Sequence, residues 1–194
     1  MFSFVLLPFL GSYCGKCSRL CGNKEGIHFF GAFLRGCTFL FYEDIFSMIV
    51  TFCGHSRFAK AEKYEEQLLS FLEDAVGDRP VEFFLGGYGA FDDFAYFCCK
   101  KYQTTHPNAK LTFITPYLSH KNNLKEKAMQ YDAIVYPEIE GAPLRYAICY
   151  RNRWMVEKAD LVIGFINHKS GGAYQTYQHA ISKNKTIFNI ADFI

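Results

Sequence analysis

Leu161-Val-Ile-Gly-Phe-Ile166, then Asn167-His-Lys-Ser170, then Gly171-Gly172-Ala-Tyr-Gln-Thr176 is the passage whose reading decides the fold. The first run is short and almost wholly apolar, as expected of a strand that a parallel sheet buries on both faces. The polar turn and glycine pair that follow lead into a segment with helical character to about Lys183. A strand feeding a glycine-started helix presents free backbone N–H groups and the positive end of the helix dipole to the space beyond the strand. An anion, phosphate above all, suits that place, although a glycine pair also serves simply as a tight turn.

Outward from this unit the same order recurs. Strands are expected at 49–53, 81–85, 110–115, 133–136, 161–166 and 186–190, and helices at 60–75, from Asp92 to about 102, 122–130, 144–159 and from Gly172 to about 183. Leu68, Leu69 and Leu72 with Tyr64 and Ala61 give the first helix an apolar face, and Glu62, Lys63, Glu65, Glu66 and Glu73 give it a wet one. Six short apolar strands separated mostly by helices predict a modified Rossmann-like, doubly wound, mainly parallel α/β sheet. In such a sheet the loops after the strands share one rim, and ligands bind where strand order reverses. The rim should therefore gather Gly54-His55-Ser56-Arg57, the stretch Gly86, Gly87, Tyr88, Gly89 to Asp92, and Ser170-Gly171-Gly172. His55 suits a hydrogen bond to phosphate or sugar, or the packing of its turn; Arg57 suits a phosphate clamp. Tyr88 and Phe91 are flat enough to stack on a base or to fill the core.

Residues 1–47 do not read as part of this pattern. Cys14-Gly-Lys-Cys17 with Cys21 and Cys37 offers a zinc half-site without a matching second pair, and Phe2 to Leu10 offers an apolar stretch without a basic flank. The preferred reading is a poorly structured N-terminal extension translated ahead of the native start, with Met48 directly before the first strand and residues 48–194 forming the ligand-binding domain. Cys53, Cys98, Cys99 and Cys149 lie in apolar contexts, as small hydrophobes in a reducing compartment do.

Composition bounds the partners. The chain is 50% hydrophobic, which excludes disorder as its main state, and no apolar run reaches the ~20 residues that span a bilayer. A soluble, cytoplasmic protein with no membrane partner is expected. A formal net charge of +2 and the lack of a basic stripe argue against nucleic acid as a partner. Neither glycine stretch fits GxGxxG or GxxxxGK[ST], and His168 and His179 have no metal-ligand spacing, so no cofactor and no metal is expected.

Thr51-Phe-Cys-Gly-His55, Gly86-Gly-Tyr-Gly-Ala-Phe-Asp92 and Arg151-Asn-Arg-Trp-Met-Val-Glu-Lys-Ala-Asp160 through Gly171-Gly172 together resemble the SLOG superfamily, in its bacterial members. That superfamily joins the Rossmann-like domain of DNA-processing protein A to the "lonely guy" phosphoribohydrolases. The resemblance covers nearly all of 48–194 and implies a nucleotide or nucleotide-derived ligand with phosphate near the glycine loops. In the phosphoribohydrolase branch, an arginine preceding the Met and Asp of the helix falls at Arg151. The glutamate of GGxGTxxE falls at Gln178, and Tyr174-Gln175 stand where Gly-Thr would be. A neutral amide cannot do the proton work of a carboxylate, a role whose loss typically costs about 100- to 10,000-fold.

Whether the chain is an enzyme is therefore left open by its sequence, and its catalytic residues stay unassigned. Asp92 or Asp93 would be a substitute acid, or a helix N-terminal carboxylate. Arg151 and Arg153, two apart on a helix, cannot both face the site; the resemblance favours Arg151. Thr176 bonds either a ligand or its own helix. Trp154, bordered by Tyr146 and Tyr150, reads as a core or dimer contact, and a homodimer is compatible with the family. The leading expectation is a nucleotide-binding sensor or regulatory module; the alternatives are an N-glycosidic (phosphoribo)hydrolase and single-stranded DNA binding.

Overall fold

The computed structural model describes residues 47–59, 62–117, 124–139 and 141–193. The zinc half-site, the apolar stretch and all but the last residue of the 1–47 extension lie outside the described residues, as do the starts of the expected 60–75 and 122–130 helices. The elements are β1 (Met48–Gly54), α1 (Glu62–Ala75), β2 (Val81–Leu85), α2 (Ala90–Thr105), β3 (Ala109–Ile114), α3 (Leu124–Gln130), β4 (Ala133–Val135), α4 (Ala147–Lys158), β5 (Leu161–Phe165), α5 (Gly171–Ser182) and β6 (Thr186–Asn189). The expected 144–159 helix is divided: Leu144–Tyr146 form a tighter 3-10 turn, and the α-helix begins at Ala147.

All strand pairs are parallel and the order across the sheet is β4-β3-β2-β1-β5-β6. The chain thus winds outward from β1 to β4, crosses back through α4, and winds the other way from β5. Because side chains alternate along a strand, each strand feeds both layers. Val50, Phe52, Phe83, Leu85, Leu111 and Ile163 pack with Leu68 and Leu72 of α1 and Phe94 and Cys98 of α2. Cys53 and Val162 face the opposite layer, with Val156 of α4 and Ala180 of α5. Trp154 belongs to this second layer, stacked on Phe84 with ring centroids 5.7 Å apart.

Two polar clamps hold β5, one at each end. Asp160 exchanges a pair of 2.8 Å bonds with Ile49, its backbone N–H donating to the Ile49 carbonyl and its carboxylate accepting from the Ile49 N–H. The Asn189 side chain accepts from the Ile166 N–H at 2.9 Å and donates to the Ile166 carbonyl at 3.2 Å, fixing the departure of the β5 loop. At the end of β1, Gly54 allows the first turn of α2 to close on the sheet, since a Cβ there would overlap the ring of buried Phe91. Overpacking of this kind costs typically about 1–3 kcal/mol. Gly54→Ala is accordingly expected to lower the urea midpoint by a stability loss in that range, and an unchanged midpoint would contradict this packing.

Candidate functional site

The reversal of winding between β1 and β5 sends α2 to one face and α5 to the other, and a cleft of about 470 Å3 opens between their loops. That size lies within the ~300–1,000 Å3 range of small-molecule sites. Of the residues expected to contact a ligand, Gly54, His55, Arg57, Gly86, Asp92, Arg151, Gly171 and Gly172 line it. Gly87 and Gly89 shape the β2 loop from outside that lining, with φ of 67° and 97°. Thr176 is turned inward: its hydroxyl donates to the Gly172 carbonyl at 2.9 Å and accepts from Asn152 Nδ2 at 3.3 Å.

On one side of the cleft stands the first turn of α5. Ser170 precedes it without a side-chain cap bond, and a Cβ on Gly171 or Gly172 would meet nothing within 4 Å. The leading N–H groups of a helix have no partner within it, so this open turn suits an anion. His55, 6% exposed, lies alongside with its Nε2 lacking any hydrogen-bond partner. The exposed ring of His168 stacks on it at 3.5 Å, joining the β1 and β5 loops. Burial first, and the neighbouring His168 second, push the His55 pKa below the usual histidine value. A neutral imidazole still keeps one N–H to donate.

On the other side, Arg151 reaches from α4 across the ends of β2 and β3. It is 1% exposed, its Nη1 donates to the Ile114 carbonyl at 3.0 Å, and its Nε has no partner. Gly86 makes this approach possible, because a Cβ there would overlap the guanidinium. Tyr88, 44% exposed, lies with its ring centroid 5.3 Å from Arg151 Cζ. No carboxylate is within ion-pair distance of Arg151 among the described residues; burial lowers its pKa, and the field of Asp92 acts the other way. Arg153, on the far side of the helix, is exposed over the Tyr150 ring.

Asp92, half-buried in the first turn of α2, accepts the Tyr88 N–H at 2.8 Å. Its carboxyl is pushed up to about 6 by burial, against the lowering pull of that N–H and of Arg151. Cys53, also in the lining, is pushed up to about 12 by burial and then by Asp92, which keeps it a protonated thiol. His168, Asn152, Ile148 and Met155 line the cleft as well, and sequence spacing gave no sign of them. Gln178 is exposed on α5 and outside the lining.

The fold defines a Rossmann-like α/β protein with a crevice at its topological switch point. No family model matches the chain, and no curated protein does. Among solved structures it is similar to DNA processing protein A from Streptococcus pneumoniae (14% identity, TM-score 0.52, covering 74% of this chain and 50% of that one). It is also similar to DNA processing protein A from Helicobacter pylori, described through its single-stranded DNA binding mode (15% identity, TM-score 0.49, covering 73% and 64%). This chain thus spans about half the length of the first and under two thirds of the second.

These neighbours correct one expectation. A net charge of +2 argued against nucleic acid as a partner, yet a solved structure that shares this fold is a DNA processing protein. The physical reason is that a formal sum averages over the whole surface and says nothing of a local site, such as this cleft with Arg57 and Arg151 in its lining.

Asp92 gives the site a testable pH signature. Its folded pKa lies above its unfolded one, so its contribution to stability is full below about pH 4 and is lost as pH rises through 6. Asp92→Asn, which keeps an acceptor for Tyr88, should therefore be more stable than the wild type above pH 6, the difference closing toward pH 4 in paired thermal melts. A difference independent of pH would contradict this environment for Asp92.

Proposed function

We propose that the cleft binds a nucleotide or nucleotide derivative, and that the chain acts as a ligand-binding module of the sensor or regulatory kind. The observation that carries this reading is the convergence, in one crevice, of an uncapped glycine-started helix, a buried histidine with an unpartnered nitrogen, and a buried arginine without an ion pair. Each group is short of a hydrogen-bonding or charged partner, and leaving such groups buried unpaired is costly. A phosphate supplies what each lacks. Tyr88 at the mouth offers a face for a base.

A second reading is single-stranded DNA, with one of its nucleotides in the same cleft. The fold shared with DNA processing protein A favours it. Hydrolysis of a glycosidic bond would fall to Asp92, the one carboxylate lining the cleft among the described residues, whose raised pKa suits an acid near neutrality.

The experiment is thermal stability of the full chain against a panel of nucleotides and short single-stranded oligonucleotides, with product analysis of every hit. A ligand at ~100 times its dissociation constant adds ~2.7 kcal/mol, a readily measured shift. The module reading expects a shift with the ligand recovered intact. Recovery of free base would make the chain a hydrolase, and no shift with any nucleotide or oligonucleotide would overturn the reading. Gly172→Asp places a carboxylate at the start of α5 where a Cβ meets nothing. It is expected to fold normally and to weaken the hit by at least ~10-fold, since a like charge now faces the phosphate.

A further inference from the structure

One group in the cleft opposes the anion that the others invite. Asp92 is the only carboxylate in the lining among the described residues, and it stands next to the strongest cation there. Arg151, 1% exposed, lies over Gly86 at the end of β2 with its Nε unpartnered. Two residues on, the Tyr88 N–H donates to Asp92 Oδ2 at 2.8 Å, and the Tyr88 ring centroid is 5.3 Å from Arg151 Cζ. The acid and the guanidinium act on each other's charge without forming an ion pair among the described residues. A phosphate that engages Arg151 therefore arrives beside the Asp92 carboxyl, where two bare anions repel. One proton between them turns that repulsion into a charge-assisted O–H···O hydrogen bond.

We propose that Asp92 selects a phosphate monoester, sharing a single proton with one of its terminal oxygens while Arg151 holds another. This rests on the nucleotide reading and deepens it. A monoester loses its second proton near pH ~6. Burial pushes the Asp92 carboxyl up to about 6 as well, so the two compete for the proton on nearly equal terms. At neutral pH both are mostly ionised when apart, and the shared proton comes from solvent on binding. A phosphodiester is ionised at any ordinary pH and offers the proton no place of its own. The proton would have to sit on Asp92 alone, against the Tyr88 N–H and Arg151, which both favour the carboxylate. Burial raises Cys53 of β1 and Tyr131 after α3, so both stay protonated, and Asp93 on the same helix adds to the upward push on Asp92. His55, His168 and Arg57 are the other charge-bearing groups of the lining, and a variant of Asp92 separates its proton from theirs. Two sources carry this chemistry: a free nucleoside monophosphate, and the 5′-phosphorylated end of a single strand.

The test is calorimetric titration of the full chain with nucleoside 5′-monophosphates in buffers of different ionisation enthalpy, which counts the protons bound. At about pH 7.5 the wild type should take up roughly one proton per ligand, and its affinity should fall about 10-fold per pH unit above that. Asp92→Asn keeps an acceptor for Tyr88 and its fold; it should bind with less than ~0.2 proton taken up and lose most of the pH dependence. Wild-type binding without uptake, or uptake that survives in Asp92→Asn, overturns the proposal and leaves the cleft reading intact. Binding by no nucleotide overturns the cleft reading itself. Competition with ten-residue oligothymidylates separates the sources. If the source is a strand end, the 5′-phosphorylated form displaces the monophosphate and the 5′-hydroxyl form does not; if it is a free nucleotide, neither does, and both results keep the shared proton. A 5′-hydroxyl strand that displaces as well as its phosphorylated form shows that a diester suffices, which also overturns the proposal.

Discussion

A parallel sheet must be covered on both faces, and this chain meets that constraint by reversing the direction of its winding once. Because β1 lies at the centre, the helices that follow it outward and the helices that return toward β6 fall on opposite faces. The helices that follow β1 and β5, α1 and α5, therefore leave the rim toward opposite faces. The crevice is a topological consequence of covering the sheet, before any side chain is considered. What the sequence adds is the chemistry that lines it.

That chemistry is organised by close approaches that a Cβ would forbid. Gly54 brings α2 down onto β1, and Gly86 lets Arg151 lie across the ends of β2 and β3. A guanidinium held this way is pre-oriented, with little side-chain freedom left to lose when a ligand arrives. The same burial that fixes Arg151 raises Asp92 and lowers His55, so the acid, the imidazole and the cation of one crevice are all shifted toward their neutral forms by desolvation. A phosphate entering between them would reverse that pressure for the two nitrogen bases and increase it for the carboxylate.

Much of this was legible in the sequence, and the reason is periodicity. The buried strands read as apolar runs of near-correct length, and α1 showed its inward face through Tyr64, Leu68 and Leu72. Helical phase said that Arg151 and Arg153 could not both face the site, the resemblance favoured Arg151, and Arg151 is the buried one while Arg153 is exposed. His168 was not legible, because its place depends on how the β5 loop folds over the β1 loop, a contact between residues 113 positions apart with no period of its own. Asn152, Ile148 and Met155 were missed because the angle at which α4 crosses the sheet decides which of its residues meet the crevice. The partner expectation failed for a different reason, since net charge averages over surfaces that a ligand never touches.

The most direct measurement is an amide 1H–15N spectrum of the full chain titrated with the nucleotide that gives the largest thermal shift. Two groups of signals should move together and saturate at one concentration: the Gly171, Gly172 and Ala173 amides at the start of α5, and the Arg151 Nε–H with the Tyr88 amide across the cleft. Movement confined elsewhere, for instance to the groove between α1 and β6 around Phe71 and Phe188, or no movement of either group, would contradict the claim that this crevice is the anion site.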